Sequence, residues 1–382
     1  SAASDVYKRQ YLGSGSDGHI VCRNTAYELV EREAEREKRG EGQMRLYVDI
    51  EKQLDDFMLQ VRFETDGEVF AILGASGCGK TMTLRCIAGI ERPDKGVIKL
   101  GDRVLFDSEA GIDIPARKRR VGYLFQDYAL FPHMTVLENI ACGCSYGNAM
   151  EYAAKFYMKG KENLYPHQLS GGEKQRTAIA RMLAASPDLI MFDEPFSALD
   201  GHLKANLEGE ILSATDALGG QALFVSHDRD EVYRLTDRIA VMEKGQIAEI
   251  KPKKELFDAP SSLAAAMLTG YENLTVVEKV SEGLLHAADW GTRIRCDFKG
   301  RPAFAGFKAE DFRVVKEGED PLPENVLACR PERVMDDREG KIIRFRSDSG
   351  TAMTLKLPSY AHIDGGRLLL YMPPDKIAVF EK

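Results

Sequence analysis

Residues 69–73, VFAIL, form an unbroken apolar run, and the chain then passes through Gly74-Ala-Ser-Gly-Cys-Gly-Lys80-Thr81 into a helix-forming stretch, Thr81–Ile90. An apolar run of this length without alternation is what a strand buried on both faces of a parallel sheet requires. The segment after it fits G-x-x-x-x-G-K-[ST] in full, in the strand-before, helix-after setting that this pattern needs. Such a turn lets the backbone N–H groups of Gly74, Ala75, Ser76, Gly77, Cys78 and Gly79 point inward at a phosphate, and the helix start adds the positive end of its dipole. Lys80 supplies a point charge for β- and γ-phosphates, and the Thr81 hydroxyl is a ligand for Mg2+.

A second apolar strand, Leu189-Ile-Met-Phe, ends on Asp193 and Glu194. Ligands of open α/β sheets bind at the carboxyl ends of strands. Asp193 is therefore the candidate for holding Mg2+, and Glu194 the candidate base that polarises an attacking water. Strand patterns at 46–50, 58–63 and 222–225, with helical patterns between the apolar runs, give an α/β chain with a mostly parallel sheet covered on both faces. From 274 onward the character changes. Short strand patterns such as 342–345, 352–357 and 367–372 are broken by Gly, Pro and Asp, which reads as a small all-β domain, OB-like in class.

Three segments result: 1–43, 44–270 and 271–382. The first contains a Gly/Ser stretch and a charged run, 26–42, with no apolar stripe wide enough to dock. Its opening SAASDVYKRQ resembles a translated library adapter, so 1–43 is expected to be a non-native or disordered tail. The chain carries 60 acidic against 52 basic residues, which makes nucleic acid a poor partner. No apolar run approaches the roughly 18 residues of a membrane span. Seven cysteines at irregular spacings form no disulfide ladder and fit a reducing compartment. Cys142-x-Cys144 lacks a second ligand pair for a metal, and Cys78 sits within the phosphate loop.

Between the two nucleotide motifs lies Leu169-Ser-Gly-Gly-Glu173, followed by a helical pattern over 174–185. Ser170 and the N–H groups of Gly171 and Gly172 open that helix and form a second anion site. Here the chain resembles the ATP-binding subunits of ABC transporters. LSGG matches that family's signature, Gln126 in GYLFQD its Q-loop, Ser197–Asp200 its D-loop, and His227 in FVSHD its switch histidine. The resemblance implies ATP and Mg2+ as cofactors, with Gln126 and Asp193 beside Thr81 at the metal, and Gln126 and His227 beside Glu194 in catalysis. It implies a head-to-tail homodimer in which the signature of one copy closes on ATP held by the other. It further implies a separate membrane permease, an extracytoplasmic oxyanion-binding protein and a place on the cytoplasmic face of the membrane.

Two features depart from the family pattern. Position 173 is Glu where Gln is usual, and the segment between Gln126 and Ser170 is short. Tyr47 and Phe57 are both candidates for the aromatic that stacks on adenine. Gly306-Phe-Lys-Ala-Glu-Asp-Phe312 resembles a segment of the β extension, called TOBE-type, of import ATPases. Blocks at 105–115, 119–126, 225–234 and 288–291 look most like molybdate importers, so the resemblance implies a molybdate-translocating ATPase. Sulfate, iron and polyamine importers are the alternatives, with a soluble non-transport ATPase behind them.

Overall fold

In a computed structural model, residues 45–381 are described except 56, 126, 197–203, 206, 210, 213, 214, 216–220, 316–324, 338, 339, 348 and 359–367. The tail 1–43 and its charged run lie outside the described residues, as do Gln126 and Ser197–Asp200.

The alternating segments near the start become β1 (Arg45–Gln53) and β2 (Met58–Asp66), which pair antiparallel. The apolar run is β3 (Val69–Leu73), buried at every position. Helix α1 (Lys80–Ala88) follows, then β4 (Lys95–Leu100), β5 (Arg103–Asp107), β6 (Ile112–Asp113), the single turn α2 (Ala116–Arg119) and β7 (Val121–Leu124). Helices α3 (Val136–Ala141), α4 (Tyr146–Lys155) and α5 (Gly171–Ala184) lead to β8 (Leu189–Asp193) and β9 (Ala222–Ser226). Then come α6 (Arg229–Leu235), β10 (Arg238–Glu243), β11 (Gln246–Pro252), α7 (Lys253–Asp258) and α8 (Leu263–Thr269).

Eleven strands make one sheet, in the order β6-β5-β4-β1-β2-β11-β10-β3-β9-β8-β7. The half from β10 to β7 is parallel, as buried apolar runs require, and the half from β6 to β2 is antiparallel. Side-chain alternation along β3 serves two cores. Val69, Ala71 and Leu73 enter the cluster that includes α3, α4 and α5, and Phe70 and Ile72 enter the cluster on the other face with α1. Parallel pairing of β3 with β9 sets Leu73 opposite Ser226, and β8 with β9 sets Asp193 opposite Val225. All three strands therefore end on the same edge, and that edge carries the site.

Beyond Gly270, ten strands from β12 (Asn273–Ser281) to β21 (Ala378–Phe380) form two five-stranded antiparallel sheets around a core that includes Trp290, Phe307 and Phe345. The patterned segments 342–345 and 352–357 fall within strands Gly340–Ser347 and Ala352–Leu357, and 367–372 brackets the strand Leu368–Tyr371. Asn273 spans the two sheets: its amide donates to Phe307 O (3.2 Å) and Thr354 O (2.9 Å), and its carbonyl accepts from Thr354 N (2.7 Å).

Arg119 ties α1 to the strands outside it. Fully buried, it donates to Cys86 O (2.8 Å), Ile87 O (2.9 Å), Ile114 O (2.6 Å) and Asp113 Oδ1 (3.0 Å). The guanidinium fills the space a side chain at Gly89 would need, and Gly89 takes positive φ (76°) to end the helix. Replacing Arg119 with Met removes the guanidinium donor from all four acceptors, and urea denaturation is expected to show a loss of about 3–5 kcal/mol.

Candidate active site

The phosphate loop is shaped by what glycine alone can do. Gly77 and Gly79 have φ of 80° and 111°, which a side chain would strain. A Cβ on Gly74 would run into the carbonyl of Met242 on β10, so the loop passes closer to the sheet than any other residue allows. Around Gly77 a Cβ would meet nothing within 4 Å, so the loop is open at that position. Lys80 is 5% exposed, and its Nζ donates to Gly74 O (2.8 Å) and Ala75 O (2.9 Å), holding a buried positive charge across the loop. Burial raises the Cys78 thiol, with the Lys80 charge opposing, so Cys78 is protonated at neutral pH.

The carboxylates meet this loop from the neighbouring strand end. Thr81 Oγ1 donates to Asp193 Oδ1 (3.0 Å), and Tyr123 Oη, from β7, donates to Asp193 Oδ2 (2.9 Å). Asp193 is 2% exposed. Burial raises its pKa, while the hydrogen bonds from Tyr123 and Thr81 pull it back down. Glu194 adopts φ of 50°, a conformation that non-glycine residues hold only when their surroundings impose it. Its N–H donates to Val225 O (2.9 Å), and His227 Nδ1 lies 3.0 Å from its Oε1. A cavity of about 320 Å³ opens beside Glu194 and His227.

His227 is held from behind. Ser226 Oγ donates to Glu231 Oε2 (2.7 Å) and accepts from Asp228 N (2.9 Å). Lys204 Nζ bridges Asp228 Oδ2 (3.1 Å) and Glu231 Oε1 (2.6 Å). Burial works against the Lys204 charge, but the bonds to Glu231 and Asp228 outweigh it and raise its pKa. The loop carrying His227 is thereby pinned at both flanks.

The residues present fit a magnesium nucleotide. The Thr81 hydroxyl and Asp193 carboxylate place two hard oxygen donors 3.0 Å apart at the helix start. The loop is open at Gly77, and the buried Lys80 ammonium lies against the carbonyls of Gly74 and Ala75 within it.

The Ser170 end of α5 is a separate place. Ser170 and Gly171 are exposed, and a Cβ on Gly171 would meet nothing. Ser170 caps its own helix: its Oγ accepts from Glu173 N (3.4 Å), and Glu173 Oε2 accepts from Ser170 N (2.8 Å). Glu173 also pairs with Lys161.

Residues 59–197 match the family model described as ABC transporter. The chain is 34% identical over 339 residues to the molybdenum import ATP-binding protein ModC of Mycobacterium tuberculosis, covering 84% of this chain and 91% of that one. The chain belongs to the ABC transporter ATP-binding family. The spermidine/putrescine import ATP-binding protein PotA of Escherichia coli K12 is 34% identical over 324 residues, 80% of this chain and 79% of its own. An Fe(3+) ions import ATP-binding protein, FbpC of Haemophilus influenzae, is 43% identical over 213 residues, 53% of this chain. The chain spans about 60% of the length of that iron-import relative.

Within this ABC chain the structure brings Lys80, Thr81, Asp193, Glu194 and His227 to one sheet edge and leaves Ser170, Gly171 and Gly172 on a separate helix start. Gln126, expected at both the metal and the reaction, lies outside the described residues, as does the Ser197–Asp200 loop. Of the two aromatics, Phe57 lies beside the phosphate loop: its Cε2 is 3.6 Å from where a Cβ on Gly79 would stand. Tyr47 lies on β1, donating to Asp49 Oδ2 (3.2 Å). Tyr123 and Lys204 were not legible as site residues in the sequence. Tyr123 reaches Asp193 from another strand 70 residues away, and no local pattern marks such a contact. Among the described residues no cluster of His, Cys, Asp and Glu is built to hold a metal, and the six described cysteines form no disulfide. No described helix is long and apolar enough to cross a membrane.

Glu173 carries a pH signature. The hydrogen bond from Lys161 and the Ser170 N–H hold its pKa at about 2, against an ordinary value of 4.5. A depressed carboxylate contributes stability that is present above its unfolded pKa and lost as pH falls through the folded one. Glu173→Gln keeps a capping acceptor for Ser170 N and drops the ion pair, so its cost at pH 7 is expected to be about 1 kcal/mol or less. Thermal melts at falling pH should show the gap between the two proteins closing between about 4.5 and 2.

Proposed function

We propose that the chain is the ATP-hydrolysing subunit of an ABC importer and drives uptake of an oxyanion, molybdate, through a separate membrane permease. The observation that carries the ATPase reading is the convergence of Lys80, Thr81–Asp193 and Glu194–His227 on one sheet edge. In this reading residues 74–81 cradle the phosphates of ATP, with Phe57 placed to stack on adenine. Thr81 and Asp193, with Gln126 as a further proposed ligand, would hold Mg2+, which would supply positive charge to the β- and γ-phosphates when bound. Glu194 accepts a proton from the attacking water at its carboxylate, and its imposed backbone conformation keeps that oxygen aimed at the site. His227 orients the Glu194 carboxylate and contacts the γ-phosphate. Lys204, Asp228 and Glu231 keep His227 in place.

Ser170, Gly171 and Gly172 supply phosphate-binding groups to a second copy's nucleotide, which makes the active unit a homodimer with two ATP at its interface. Closure on ATP and reopening after hydrolysis then move the permease, and the chain sits on the cytoplasmic membrane face with an extracytoplasmic binding protein delivering the anion. Residues 44–270 form the ATPase domain and 271–382 the accessory β domain. The molybdenum-import likeness supports molybdate because it extends over 84% of the chain. The polyamine likeness is of equal identity, and the iron likeness is higher over a shorter stretch, so both cargoes stand as alternatives. Reconstitution with the permease, reading ATP turnover against molybdate, iron or spermidine presented with a binding protein, decides the cargo.

Two variants test the chemistry. Glu194→Gln is expected to bind ATP within about twofold of the parent while turnover falls by roughly a hundredfold or more, as loss of a general base requires. Normal turnover in that variant removes Glu194 from the role of base. Lys80→Ala removes a charge-assisted contact worth about 1.5–3 kcal/mol, so equilibrium titration should show ATP affinity falling roughly tenfold to a hundredfold.

A further inference from the structure

The segment that leaves β7 towards the helices holds two consecutive non-glycine residues at positive φ, Tyr128 (63°) and Ala129 (42°). A tyrosine is poorly suited to that region, so something must impose it. Arg181, in the third turn of α5, donates from one guanidinium nitrogen to Ala129 O (2.8 Å) and from the other to Tyr128 O (3.0 Å). The planar fork meets the two adjacent carbonyls with a separate nitrogen each, a fixed geometry that the single nitrogen of a lysine ammonium does not supply. Its Cζ also stands 5.4 Å from the centre of the Phe131 ring, and Tyr128 Oη reaches Gln175 Oε1, one helix turn and a half earlier, at 3.5 Å.

Both ends of this clamp lead to the site. Upstream, Tyr123 on β7 donates to Asp193, and its ring lies 4.4 Å from that of Phe125, whose carbonyl accepts from Tyr128 N (3.0 Å). Downstream, Arg181 is on the helix that Ser170 caps. A side chain at Gly143 would strike the carbonyl of Arg181 and the N–H of Ala185, so the chain after α3 packs directly on the backbone of this helix end.

We propose that Arg181 is a positioning residue that locks the loop leaving β7 to the Ser170 helix, so that the two shift as one body when nucleotide binds. This rests on the reading in which residues 74–81 hold ATP. The strained pair is the movable element: clamped, Tyr128 and Ala129 keep positive φ, and released, they relax to ordinary backbone.

Hydrogen–deuterium exchange of the full chain, with and without a non-hydrolysable ATP analogue and Mg2+, tests it. In the parent, peptides spanning 121–135 and 165–185 should gain protection together. In Arg181→Ala and in Arg181→Lys, analogue affinity should stay within about twofold and kcat should fall about tenfold or more. Residues 165–185 should still respond, while 121–135 exchange faster and no longer respond. Arg181→Lys keeps the charge and the stem, so it reports on the fork even if the alanine variant is poorly folded. A folded lysine variant in which 121–135 respond as in the parent overturns the inference, as does a parent in which only one segment responds. A parent that fails to bind the analogue overturns the nucleotide reading instead.

Discussion

The hydrogen bond from Thr81 to Asp193 joins residues 112 positions apart, and the geometry of the whole site turns on it. It exists because β3 and β8 lie on either side of β9 in parallel register, so their carboxyl ends are level. A slip of one residue in either pairing would exchange the faces of a strand, driving the side chains of one core towards the other. Two separately packed cores therefore fix the register: Phe192 stacked on Phe224 at 4.6 Å sits in one, and Phe70 in the other stacks on Phe63 at 5.2 Å. Apolar packing places the hydroxyl and the carboxylate within reach, and the polar contact adds direction.

Burial at that edge has a cost that the structure distributes. Asp193 is buried and its pKa is raised, which disfavours the charged form a cation site needs. Two hydroxyls, from α1 and from β7, offset this by donating to separate oxygens of the same carboxylate. Glu194, next in sequence, takes the left-handed conformation and turns towards His227 instead of continuing the strand. One strand end thus presents two carboxylates with different environments, one gripped by hydroxyls and one facing an imidazole. In the proposed function that separation would let the adjacent acids serve a metal and a water without competing.

How much of this was legible in the sequence depends on range. The phosphate loop, the β8 carboxylates, the capped α5 start and the buried strands are local patterns, and each appears where its pattern places it, within two or three residues at helix ends. The interactions missed are long-range. Tyr123, Lys204 and Arg181 act across pairings that only the folded sheet and helix packing create, and nothing in their neighbourhoods sets them apart. The mostly parallel sheet expected from apolar runs holds for the β10-to-β7 half. The alternating segments β1 and β2 instead begin an antiparallel half, as their one-sided polarity requires. The β-rich end was legible as strands, but its division into two sheets spanned by Asn273 was not, since a single buried amide has no sequence signature.

Glu173 shows how a departure from a family pattern can be absorbed. A carboxylate at the third position of α5 caps the Ser170 N–H as a glutamine amide oxygen would, and it adds negative charge where the helix dipole favours it. That charge also lies close to the N–H groups of Gly171 and Gly172, which the proposed function assigns to a phosphate. Left alone, it would repel an incoming anion. Lys161 removes the conflict by pairing with Glu173 from the loop ahead of the signature, so the helix start keeps its cap while the local charge is balanced. The glutamate and the lysine therefore belong to one arrangement, in which the cap carries a charge that its partner balances beside the proposed anion site.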